Sequence, residues 1–205
     1  MNNRILRIIS ALGLSLSLLS CSHDSGSIAR MGNAGSISGP YWVGPITITD
    51  TGGVMAGFGY GAVWGYPGAS ADIGGIGIPA HIEGYWSREE IKKNGKRGAI
   101  VEEYHISAPI DSELAAKKVH TMRNYYQNYQ RDKGGIIVTV DHERVRVFYS
   151  LFCYSSSSDC TPKPNADPNG WIIESPSHIK NVVLLFDGKG ESSPTPFPGS
   201  PYAKP

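Results

Sequence analysis

The sequence predicts an α+β protein, mainly antiparallel β-sheet or a β-sandwich, with one amphipathic helix packed on it. Three observations carry that reading. Several short stretches alternate apolar and polar residues with a period of two, as half-buried strands do. Only one segment, about 111–132, repeats apolar residues at three- and four-residue spacing, as a helix face does. The 205 residues also include 25 glycines, 14 prolines and 11 tyrosines, a turn-rich composition.

The chain opens with MNNRILRIISALGLSLSLLSC. Arg4 and Arg7 form a basic start, and Ile8 to Leu19 carries no charge. Such a run is too short for a spanning helix, which needs about 20 apolar residues. It fits the apolar core of a signal peptide. Leu18-Leu19-Ser20-Cys21 matches a lipobox, so residues 1–20 read as a cleaved lipoprotein signal and Cys21 as the lipidation site. Two or three acyl chains, palmitate among them, hold a protein on a bilayer where one does not. The competing reading is an ordinary secretory signal with an incidental cysteine. Ser22 is not the aspartate that retains lipoproteins at the inner membrane of enteric bacteria. The expected address is therefore the cell envelope, at the periplasmic face of the outer membrane.

Domain organisation follows. Residues 21–40 are small, polar and glycine-rich and read as a flexible tether. Residues 41–190 read as a single β-rich domain, long enough for a real core. Residues 191–205 are proline-rich and read as an extended, disordered tail. The net charge of +1 offers no basic excess for nucleic acid. With Cys21 assigned to lipid, Cys153 and Cys160 are left as a pair. In an exported chain the default for such a pair is a disulfide. A metal pair is the alternative, but no further thiol exists and no histidine lies nearby in sequence.

Within the domain, Ile46 and Ile48 alternate with Thr47 and Thr49 in a strand that ends at the Asp50-Thr51-Gly52-Gly53 turn. Residues 52–78 interleave glycine with aromatics. They lack the spacing of a phosphate-binding loop or a nucleophile elbow. Tyr60, Trp64 and Tyr66 there are either core or displayed anchors for a partner. A strand over Pro79 to Trp86 leads to a charged connection, 88–97, with Asn94-Gly95 as its turn, which is expected to serve as contact surface if the chain binds a partner. Ala99 to Ile106 resumes a strand. Asp111 is a helix N-cap, and Leu114, Ala115, Val119, Met122, Tyr126 and Tyr129 share one face, with Gly134-Gly135 as the stop. The tyrosines Tyr125, Tyr126 and Tyr129 read as that face packed on a sheet rather than as a ligand site. Ile136–Val140 and Arg144–Phe152 form a hairpin, with Arg144 and Arg146 turned to solvent or a partner. Asn165 to Gly170 imitates half of a calcium loop but has Pro176 where the bidentate glutamate belongs. A short strand at Trp171 to Glu174 and a buried one at Asn181 to Phe186 complete the domain.

No catalytic or metal pattern emerges, and no cofactor is expected. None of the six histidines forms an H-E-x-x-H or helix-face pair. Glu89-Glu90 and Glu102-Glu103 are adjacent in strands, so each pair splits between two faces.

The lipobox, the glycine-rich stretch leading to Ile78-Pro79, the Trp86 strand, the FYSLFC segment and Ser177-His178-Ile179-Lys180 together resemble an uncharacterised bacterial lipoprotein family, domain of unknown function 3304. Many members carry a Cys-Cys pair after the glycine stretch, and this chain has none there. Some members look like type VI secretion immunity lipoproteins, which bind phospholipase effectors in the periplasm. The resemblance therefore implies a lipid-anchored binding module whose partner is a toxin, and no enzyme. The expected contact residues are Tyr60, Trp64, Tyr66, Arg88, Lys92 and Lys93. The alternative is a structural or envelope-assembly lipoprotein with a protein or glycan partner.

Overall fold

The computed structural model describes residues 28–36, 38–63, 75–129, 134–153, 159–176 and 178–203. In chain order the strands are β1 (Ala29–Gly35), β2 (Tyr41–Asp50), β3 (Met55–Val63), β4 (Gly75–Ile76), β5 (Pro79–Ile91) and β6 (Arg97–Pro109). Helix α1 (Ser112–Arg123) follows, then β7 (Tyr126–Asn128), β8 (Gly134–Asp141), β9 (Arg144–Ser150) and β10 (Asp159–Pro162). The last strands are β11 (Ile172–Ile173), β12 (Val182–Lys189) and β13 (Glu191–Ser193). The fold is α+β, largely antiparallel sheet with one helix among the described residues.

Six strands form a sheet in the order β11-β12-β9-β8-β1-β4, and five form another in the order β13-β6-β5-β2-β3. A two-stranded sheet joins β10 to β7. One apolar cluster draws Ile46, Ile48, Ile82 and Trp86 from the five-stranded sheet and Met31, Ile136, Val138 and Val147 from the six-stranded one. In β2 the expected alternation is present: Ile46 and Ile48 are buried and Thr47 and Thr49 are half-buried. β8 is buried at every position from Gly134 to Val140. Its second face meets a small cluster of Ile137, Phe148 and Val182. That is why its sequence is a continuous apolar run rather than an alternation.

Asp111 caps α1 by accepting from the Leu114 amide at 2.9 Å. The helix buries Ala115, Val119 and Met122, one stripe at four- and three-residue spacing. It ends at Arg123, not at 132 as the spacing predicts, and Leu114 is exposed. The Asn124 side chain donates to the His120 carbonyl at 2.9 Å and closes the last turn. Tyr126 then enters β7 and pairs with Pro162 of β10. The Tyr125 carbonyl accepts from the Lys163 amide at 2.8 Å instead of from a fourth helical turn. A disulfide between Cys153 and Cys160, with Cα atoms 5.8 Å apart, ties β10 to the chain leaving β9.

Two expected termini of the domain move outward. The tether expected over 21–40 contains β1, which lies inside the six-stranded sheet between β8 and β4. Ala29 and Met31 are buried there. β1 pairs parallel to β8, from Ala29 opposite Gly134 onward, and a parallel partner so far downstream leaves no local signal. The tail expected to be disordered is also ordered through residue 203. β13 adds to the edge of β6, and the Tyr202 hydroxyl donates to the Trp42 carbonyl at 2.9 Å.

Candidate partner-binding pole

The molecule has two ends, fixed by hydrogen bonds between its sheets and turns. At one end β1 begins. Ile28 donates to the Ile76 carbonyl at 2.8 Å, and Gly134 donates to the Ile28 carbonyl at 2.9 Å. The buried Asp50 carboxylate closes this end by accepting from the amides of Gly52, Val54 and Gly77 at 2.8–2.9 Å. Three backbone donors satisfy a carboxylate that carries no cationic partner among the described residues.

At the other end β1 finishes. Ser36 donates to Asp141 at 2.8 Å, and Ser38 does so through both its amide and its hydroxyl at 2.9 Å. The turn from β8 to β9 lies here. The His142 amide donates to the Tyr41 hydroxyl at 2.8 Å, and the Trp86 indole donates to the His142 carbonyl at 2.7 Å. The start of β2, the middle of β5 and the β8–β9 turn thus meet at this pole.

The β5–β6 hairpin runs past the pole. β2 pairs with β5 only as far as Trp42 opposite Ser87, and β13 pairs with β6 only as far as Ser193 opposite Glu103. β5 and β6 continue to pair with each other out to Ile91 opposite Arg97. Residues 88–102 therefore form a two-stranded arm with no third strand among the described residues. Its turn is well defined: Lys92 donates to the Lys96 carbonyl at 2.9 Å and Gly95 to the Lys92 carbonyl at 2.8 Å. Gly95 has φ +75°, which the asparagine-glycine turn supplies without strain.

The expected contact residues distribute as follows. Arg88 is on the arm and reaches Glu102 across it at 3.3 Å. Lys92 and Lys93 are exposed in the arm's turn. Tyr60 lies in β3, in register with Val43, and nothing is described of its side chain. Trp64, Tyr66 and Cys21 lie outside the described residues. Val63, which precedes Trp64, pairs with Tyr41 at the arm's own pole. Lys96 and the exposed Ile91 fall within the charged connection 88–97 expected as contact surface, whereas the exposed Val101 of the arm lies beyond it. The run KKNGKR around the turn was the available signal.

Of Arg144 and Arg146, expected to face solvent or a partner, Arg144 is exposed and Arg146 half-buried, and both also pair within the sheet. Arg144 binds Asp187 through two contacts, 2.6 and 2.5 Å, and Arg146 sits half-buried 3.7 Å from Asp187 and 4.0 Å from Asp141. The hydrogen bond from Arg144 holds the Asp187 carboxyl below its usual range. Lys189 likewise reaches Glu143 at 3.1 Å.

Two further groups of polar side chains lie on the five-stranded sheet. The Ser107 hydroxyl lies 3.4 Å from His81 Nε2 on the open face of the five-stranded sheet. Among the described residues His81 has no carboxylate to orient it, so the pair lacks the third member that activates a nucleophile. Glu102 and Glu103 split as adjacent strand residues must: Glu102 accepts from Tyr104 at 2.6 Å, while Glu103 is buried on the opposite face. No group of three or more metal-ligating side chains occurs among the described residues.

No protein-family model, no curated protein and no solved structure matches this chain.

Proposed function

We propose that the chain is a membrane-anchored periplasmic lipoprotein that acts as a binding module. Its partner is a secreted, phospholipase-type toxin, which it neutralises as an immunity protein. Acylation at Cys21 supplies the anchor, at the periplasmic face of the outer membrane. In this reading the five- and six-stranded sheets pack face to face as a sandwich that stiffens the contact surface. The observation that supports it is convergence at one pole. The arm with Arg88, Lys92 and Lys93 and the strand end leading to Trp64 and Tyr66 flank the start of β2 on either side. Strand spacing puts their bases about 10 Å apart, within one interface.

The test is protection of cells against a phospholipase-type toxin directed to the periplasm. Protection is expected with the native chain, loss with Cys21→Ala, and loss again with Trp64→Ala. The Trp64 substitution weakens toxin binding by about 2 kcal/mol or more if that ring is an anchor. Full protection by the Cys21→Ala chain would remove the anchor from the mechanism. Unchanged affinity in a folded Trp64→Ala chain would remove the aromatic stretch from the interface.

A further inference from the structure

We infer that the 88–102 arm is a basic finger that enters an acidic cleft of a protein partner at the membrane-distal pole. This rests on the binding-module reading and deepens it by naming the chemistry of the partner. Three observations on the arm point the same way.

The first is charge left unmatched. Arg88, Lys117, Arg144, Arg146 and Lys189 all form ion pairs within the molecule. Lys118 donates to the Leu184 carbonyl at 2.6 Å. Lys92, Lys93 and Lys96 make no ion pair among the described residues, and all three are exposed. Arg97 adds a fourth positive charge to the same six-residue stretch. The tip therefore concentrates three exposed lysines, unmatched by any ion pair among the described residues, within five positions.

The second is shape. A ribbon two strands wide carries this charge beyond the sheet, on a turn fixed by its own hydrogen bonds. Its stem exposes Ile91 and Val101 at 46% and 42%, so entry into a cleft buries apolar area as well as matching charge.

The third is direction. With Cys21 acylated, only residues 22–27 separate the lipid from Ile28, a reach of at most about 25 Å. β1 starts at the Asp50 and Gly77 end and runs about 20 Å to the pole that bears the arm. The arm lies at the pole opposite the start of β1, which favours offering its lysines to a protein arriving from the other side over anionic headgroups.

The experiment uses the purified full chain with two probes, poly-L-glutamate and vesicles of phosphatidylglycerol and phosphatidylethanolamine. One variant combines Lys92→Glu, Lys93→Glu and Lys96→Glu. A charge-matched control combines Lys117→Glu, Lys163→Glu and Lys180→Glu. The native chain is expected to bind poly-L-glutamate with an affinity that falls as salt rises. The arm variant loses at least about tenfold and the control less than about threefold. Failure of the native chain to bind poly-L-glutamate overturns the inference, and so does equal loss in both variants. Arm-dependent binding to the vesicles tighter than to poly-L-glutamate overturns it in favour of a membrane contact. Binding in this assay does not depend on acylation. Loss of labelled palmitate incorporation at Cys21 would sink the anchor separately and leave the charge result readable.

Discussion

The Ser200 hydroxyl donates to the fully buried carboxylate of Glu103, 97 residues earlier in the chain. The Phe197 amide donates to the other oxygen of the same carboxylate at 2.7 Å. The C-terminal segment is thereby fastened across β6 by a charge that has no cation beside it among the described residues. Ser200→Ala leaves that carboxylate short of a donor and should cost about 1–3 kcal/mol. Urea denaturation reads this as a lower midpoint at unchanged slope. Proteolysis of the segment after Gly190 should quicken in the same variant.

At Gly84 the backbones of β5 and β2 approach closely. A Cβ there would lie 2.6 Å from the Ile46 Cα and 2.8 Å from the Pro45 carbonyl, both backbone atoms that cannot swing aside. Gly84→Ala should destabilise by about 1–3 kcal/mol through overpacking. A thermal midpoint equal to the native one would show that β2 and β5 separate more freely than their register implies.

Asp187 contributes to the acid sensitivity of the six-stranded sheet. Its hydrogen bond from Arg144, with the charges of Arg144 and Arg146, depresses its folded-state value below the ordinary 3.8. A depressed carboxylate contributes stability that is complete above its ordinary value and is lost as pH falls through the folded one. The loss should therefore be confined below about pH 4. Asp187→Asn should flatten that limb of the stability–pH curve while leaving the neutral side level, with an overall cost of about 1 kcal/mol for a partly exposed pair. A limb of unchanged steepness would place the acid response on other carboxylates.

Replacing Cys153 and Cys160 together by serine should cost about 2–3 kcal/mol by the chain-entropy estimate for so short a loop. The effect should be local as well as global. Amide hydrogen exchange should rise first in β7 and β10, which pair with each other and with no third strand among the described residues. Uniform acceleration across β8 and β9 would mean that the bridge supports the main sheet directly.

The strands and turns whose signals are local were legible. The β8–β9 hairpin, the Asp50 turn and the Asp111 cap each depend on residues within a few positions of one another. What failed depends on distant partners. Tyr126 and Tyr129 continue the helical spacing, yet Tyr126 pairs with Pro162 and the Tyr129 hydroxyl donates to the Leu151 carbonyl. Pairing across the chain overrode a pattern that the helix satisfied equally well. The prolines of 194–201 read as unpacked because their anchor, Glu103, reads as a surface charge on an alternating strand. At the arm, charge and turn chemistry located the tip from sequence, whereas its projection became visible only from where the pairing of β2 and β13 stops.

The placement of β1 has a mechanical consequence. It enters the six-stranded sheet at one end of the molecule and is bonded along its length to β8. A bilayer holding Cys21 and a partner holding the arm would pull from opposite ends, along the strand axis. Such a load shears the β1–β8 ladder, so its bonds must yield together rather than one at a time. The chain would resist extraction at its own first strand, and a captured partner would be held under tension without unravelling the sheet that holds it.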